Sequence, residues 1–138
     1  MKYMILLYAS QADYDAMAGK AKDKPAWSAD QLAAMGAFME SFNNELVESG
    51  EFVDARGLDA PIHTRRVALQ NGVPVVTDGP YPETLEVLAG YTIVECDSFD
   101  RATEIGARIS KCPPGPGGAE GLFLDIRPIV DGRDDLEI

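Results

Sequence analysis

The stretch TDGPYPETLEVLAGY, residues 77–91, gathers the side chains of this chain best suited to chemistry. Asp78 and Glu83 are carboxylates set among glycine and prolines. In a partly apolar pocket a carboxyl pKa rises, and the group can then move protons near neutrality. Either acid is a candidate general base. Tyr81 and Tyr91, with Tyr8 near the N-terminus, supply hydroxyls that can donate to a phenolate or carbonyl oxygen. Arg127, in LFLDIRPI, has the fork geometry that grips a carboxylate. Asp78 and Glu83 are thus the catalytic candidates, and Tyr8, Tyr81, Tyr91 and Arg127 the ligand-binding ones. The chemistry they suit is proton transfer on a small organic molecule, of lyase or isomerase type, without a cofactor.

Each residue also has a plainer reading. Asp-Gly-Pro is turn chemistry: Asp bonds its own backbone, Gly tolerates positive φ, and Pro fixes the next φ. Each tyrosine fits core packing with its hydroxyl at the rim, and Arg127 fits an ion pair with a neighbouring strand. His63, in PIHTRR, reads as a solvated loop residue. With Asp59 or Asp54 it is a poor start for a metal site, and no metal is expected. Cys112 lacks the helix N-terminus that activates a thiol. KCPPGPGG, residues 111–118, lacks the phosphate-loop pattern, and its prolines remove the N–H groups such a loop needs.

Composition narrows the partners. The 138 residues suit one domain, read as 1–130, with an acidic tail over 131–138. A formal charge of −11 with 12 scattered basic residues excludes a nucleic-acid surface and disfavours anionic membranes. No apolar run reaches the roughly 18 residues of a membrane span. Two cysteines are too few for a disulfide framework, so reduced thiols and a cytoplasmic setting are expected.

The elements that must hold these residues follow from periodicity. Lys2 to Ala9 alternates as a strand apolar on both faces. Residues 10–27 form a long connection, a lid or a disordered loop, with room for a short helix around Asp13 to Ala18. Ser28 and Gln31 make a capping box for a helix bearing Leu32, Met35, Met39, Phe42 and Leu46 on one face, closed by Gly50. Phe52 to Leu58 reads as a short strand. Thr64 to Gln70 and Val73 to Thr77 flank Asn71–Gly72 as a hairpin, with Pro74 confined to an edge. Gly90 to Cys96 is a strand. Ser98 caps a helix carrying Phe99, Ala102, Ile105 and Ile109, and Leu122 to Ile129 is the last strand. Two β-α-β halves with an inserted hairpin predict an α+β, ferredoxin-like split β-α-β sheet. Both helices cover one face, and a second copy covers the other in a two-fold dimer.

MKYMILLY at 1–8, TDGPYPETLEVLAGYTIVE at 77–95 and LFLDIRPI at 122–129 together resemble the YCII-related family, in its DGPF-domain branch. The residues that carry the likeness are Asp78, Gly79, Pro80, Tyr81, Glu83, Gly90, Tyr91 and Glu95. The resemblance implies a dimeric α+β barrel. It also implies acid–base chemistry by a His–Asp pair in some members, an arrangement this chain is read as lacking, since His63 lies away from the motif. Tyr81 stands where the family has Phe, Leu85 where Lys is common, and Asp125 where Glu is common. The alternatives to an enzyme are a ligand-binding or regulatory dimer, and a loop that serves only the dimer interface.

Overall fold

The computed structural model describes residues 1–79 and 81–132. Pro80 and most of the acidic tail read at 131–138 lie outside the described residues. The central strand is β1, Lys2–Ala9, flanked by β5 (Val87–Glu95) and β6 (Leu124–Pro128). With β2 (Phe52–Gly57) these form an antiparallel sheet of order β2-β5-β1-β6. This is the ferredoxin-like order, so the α+β expectation holds. The hairpin of β3 (Arg65–Gln70) and β4 (Val73–Asp78) is a separate two-stranded sheet. Its turn is Asn71–Gly72, both at positive φ, and Leu69 pairs with Pro74. A pair of strands is an edge on both sides, which is where Pro74 is tolerated.

Two helices cover one face of the sheet. α2, Ala29–Ser49, has the Ser28–Gln31 capping box and ends at Gly50 with φ 78°. α3, Phe99–Ile109, starts at Ser98. Phe42 and Leu46 of α2 and Ala102, Ile105 and Ile109 of α3 pack on Tyr3, Ile5 and Val94. Phe99 sits at the rim of that stripe, its ring 5.3 Å from that of Tyr3. On the opposite face β1 shows Met4, Leu6 and Tyr8. The register sets Met4 beside Ile93 and Arg127, and Leu6 beside Tyr91 and Asp125. These apolar side chains are only half-buried.

Some boundaries differ from expectation. The short helix is α1, Gln11–Met17, earlier than read, because Ser10 and Asp13 form their own capping box. β5 begins three residues before Gly90, through a bulge that lets the ladder continue past the glycine. The last strand is shorter: Leu122 and Phe123 stand in the preceding loop with large exposed side chains. The 10–27 connection is tied down, with Trp27 N–H donating to Ala16 O at 3.1 Å. The Trp27 ring lies where a side chain on Gly115 would go, 2.1 Å from an added Cβ, so the two loops meet only because residue 115 has none.

Two predictions concern stability. A Cβ at Gly90 would stand 2.8 Å from Arg56 O, a backbone atom that cannot swing aside. Gly90→Ala should cost about 1–3 kcal/mol, whereas Gly36→Ala, in open space on α2, should gain about 0.5–1 kcal/mol; urea unfolding midpoints compare them. The second concerns Glu51. Its carboxylate accepts two 2.8 Å hydrogen bonds from Arg101, which with Ser49 hold its pKa down to about 2 from an ordinary 4.5. A depressed carboxyl stabilises the fold above its unfolded pKa, and that contribution is lost as pH falls through the folded one. Between pH 4.5 and 2 the wild type should therefore lose about 1–2 kcal/mol more than Glu51→Gln, after allowing for solvent screening. Equal acid sensitivity of the two proteins would refute it.

Candidate functional site

The sequence candidates separate into two places. Asp78 ends β4 opposite Arg65, whose Nε is 3.5 Å from its Oδ1, and the Asp78 side chain is 81% exposed. The bond is across the hairpin rather than to its own backbone. Gly79 follows at φ 52°, with its N–H donating to Thr64 O at 2.9 Å, so the turn does require glycine. Tyr81 is half-buried under the guanidinium of Arg66, 4.9 Å from the ring centroid. Glu83 has an exposed side chain, but its carbonyl accepts from Ala12 N–H at 3.0 Å. Backbone, not the carboxylate, ties that residue to α1.

Near Asp78 is a His–Asp contact between loop residues, outside the stretch that carries the family resemblance. His63 Nδ1 is 2.9 Å from Asp59 Oδ2, four residues back across a 3₁₀ turn, Pro61–His63. The Ala60 N–H and then His63 hold the Asp59 carboxyl below its usual range. Ile62, His63, Thr64, Arg65 and Asp78 share a wide-open groove. His63 is 64% exposed, so it is solvated as expected. The spacing Asp59-x-x-x-His63 was visible, but only the 3₁₀ turn brings the two side chains together.

The other candidates stand on the sheet face turned away from α2 and α3. Tyr8 donates to Asp125 Oδ2 at 2.8 Å. Losing that proton would break the bond, so the Tyr8 pKa is raised, chiefly by Asp125 and with a smaller opposing pull from Arg127. Tyr91 pairs with Leu6 and Arg56, and Arg127 with Met4.

Tyr8 also borders a cleft of about 500 Å³ between α1, the Lys24–Trp27 segment and the glycine-rich 115–118 loop. Ala16, Met17, Trp27 and Leu122 give it apolar walls. Asp13 and Lys24 give it a polar end, with Nζ 2.8 Å from Oδ1. Burial raises the Asp13 pKa, but Lys24, the Ser10 N–H and the Ser10 hydroxyl outweigh it and hold the carboxyl low. Asp13 is thus fixed as an anion by both a helix cap and a cation. Sequence reasoning missed Asp13, Lys24 and Trp27. The available signals were the Ser10-x-x-Asp13 cap and the sole tryptophan inside a polar connection, because a large aromatic ring has to find cover.

α1 joins the two places. Gln11 Oε1 accepts from Ile62 N–H at 2.9 Å, and Tyr14 donates to Leu58 O at 2.8 Å. Among the described residues no group of three or more His, Cys, Asp or Glu is placed to hold a metal. No described helix is long and apolar enough to cross a membrane.

Uncharacterized protein R00369 of Rhizobium meliloti (strain 1021) is 26% identical over 105 residues, covering 76% of this chain and 81% of its own length. The YCII-related domain matches residues 1–120, a span that holds β1, the hairpin, the Asp78–Glu83 loop and α3. By that match the chain belongs to the YCII-related family.

Proposed function

We propose that this protein binds a small organic molecule in the Tyr8 cleft and works as a cytoplasmic two-fold dimer of the DGPF branch. The observation that carries the reading is the cleft itself. It combines apolar walls with the Asp13–Lys24 pair, the usual make-up of a small-ligand site. Asp78 and Glu83, by contrast, stand exposed to water, with no apolar wall around either carboxylate. Dimerisation is supported by the half-buried Met4, Leu6, Tyr91 and Ile93, which no described helix covers. Asp125 and Arg127 on that face offer charges of both signs to a two-fold copy.

A second reading keeps acid–base catalysis at the DGPY loop, with Asp78 or Glu83 as the base. Its own observation is His63, which shares a groove with Asp78 and is paired with Asp59. An imidazole oriented by a carboxylate is a working general base.

The sole tryptophan makes the first reading testable, since Trp27 lines the cleft. A fragment library screened by Trp27 emission should give compounds that also raise Tm. Lys24→Met should weaken them about tenfold, and Asp78→Asn should leave them unchanged. Binding that ignores Lys24 but fails in Asp78→Asn would move the site to the loop. A bound compound that is converted, with conversion lost in Asp78→Asn or Glu83→Gln while binding persists, would establish the enzyme reading. Sedimentation should return a dimer for the wild type and a monomer for Ile93→Asp; a monomeric wild type would remove the dimer.

A further inference from the structure

We propose that the ligand of the Tyr8 cleft is an elongated amphipathic molecule, with a hydrogen-bond-accepting head at Lys24 and an apolar tail in a second, methionine-lined cavity. The inference rests on the reading that the cleft binds a small molecule, and it assigns that molecule a shape and a chemistry.

The second cavity, about 340 Å³, lies between the N-terminal half of α2, the end of α3 and the 119–124 loop. Its walls are Leu7, Met35, Met39, Ile109, Cys112 and Phe123, with Tyr8 and Leu122 shared with the cleft. The two spaces are therefore neighbours that share Tyr8 and Leu122 in their walls. The apolar stripe of α2 explains why the second space exists. Phe42 and Leu46 are buried in the core, while Met35 and Met39, further toward the N-terminus, line the cavity, Met39 also touching the core. Methionine adapts its shape to what it meets, so a pair of them suits a flexible tail better than one rigid ring. Leu122 and Phe123 stand 69% and 61% exposed on the outer wall. An alkyl chain laid against them removes that surface from water.

The head follows from the polar end of the cleft. The Lys24 ammonium carries three donors, and its bond to Asp13 uses one. The remaining hydrogens suit a carbonyl, an ester or a carboxylate. Asp13, held as an anion by its cap, opposes a second acid close to it, so the head binds on the far side of Lys24.

Straight-chain alkanoates from acetate to decanoate are the probes, with two readouts on the full-length chain. Trp27 emission reports the cleft. Iodoacetamide labelling of Cys112, resolved from buried Cys96 by peptide mass spectrometry, reports the cavity. Affinity is expected to rise about three- to fourfold per methylene over the middle of the series, in line with burial of CH₂ groups. The longer acids should slow Cys112 labelling, and acetate should not. Ala119→Phe, which fills the cavity from an exposed loop position, should bring decanoate down to the affinity of butyrate while leaving the Trp27 response to butyrate intact. Two results overturn the inference and leave the cleft reading standing: a Trp27 response with no dependence on chain length, or unchanged Cys112 labelling with decanoate bound. Cys112 protection without any Trp27 response overturns the joined site, because the tail would then bind alone. No response from either readout removes both readings for acceptor-headed ligands.

Discussion

The structure depends on β1 being apolar on both faces. A strand of that kind has to be central, and the hydrogen-bond ladder places β5 on one side and β6 on the other. One face is then sealed by α2 and α3 through Tyr3 and Ile5, both nearly inaccessible. The other face keeps Met4, Leu6 and Tyr8, and among the described residues nothing covers it as completely. Tyr8 is the last aromatic residue before the strand gives way to α1. It stands where sheet, helix and loops converge, and there the closest packing gives out. A cleft at that corner is what remains when regular elements of fixed length stop filling the space between them.

Much of the fold was legible because it rests on local physics. The capping box at Ser28–Gln31, the helical spacing from Leu32 to Leu46 and the Asn71–Gly72 turn each specify their own geometry within a few residues. The same holds for Gly50 and Ser98 at helix ends. The candidate site was far less legible. Tyr8 was named, but Asp13, Lys24 and Trp27 were not, because their meeting depends on three segments that are distant in sequence and individually read as polar loop. His63 was set beside Asp59 or Asp54 only as a poor start for a metal site, and the choice between the two acids was not legible for a similar reason. The Asp59–His63 spacing is local, yet a loop histidine has no preferred partner until the 3₁₀ turn at Pro61 fixes the backbone. Leu122 and Phe123 misled in the opposite direction. Their hydrophobicity argued for strand, but the turn from Ala119 to Leu122 leaves them outside the ladder.

The charge of the chain plays a limited part. Most of the ion pairs are exposed and contribute little each. The exception is Glu51, gripped by the Arg101 fork where the end of α2 meets the start of α3. It fastens the two helices at the end of the molecule opposite to the Asp13–Lys24 pair. One charged pair thus secures the core, while the other leaves cationic hydrogens facing open space.

The contact between Trp27 and residue 115 carries an evolutionary consequence. Any side chain at 115 collides with the indole where it now stands, so drift at that position is opposed while the tryptophan keeps its place. Loss of the tryptophan to a smaller residue lifts the block, and a side chain can then fill the vacated space. After that second step the original ring cannot return. The order of substitutions is therefore a ratchet, and descendants of this chain should divide into two lineages, one with an aromatic ring over glycine and one with a small residue over a larger one.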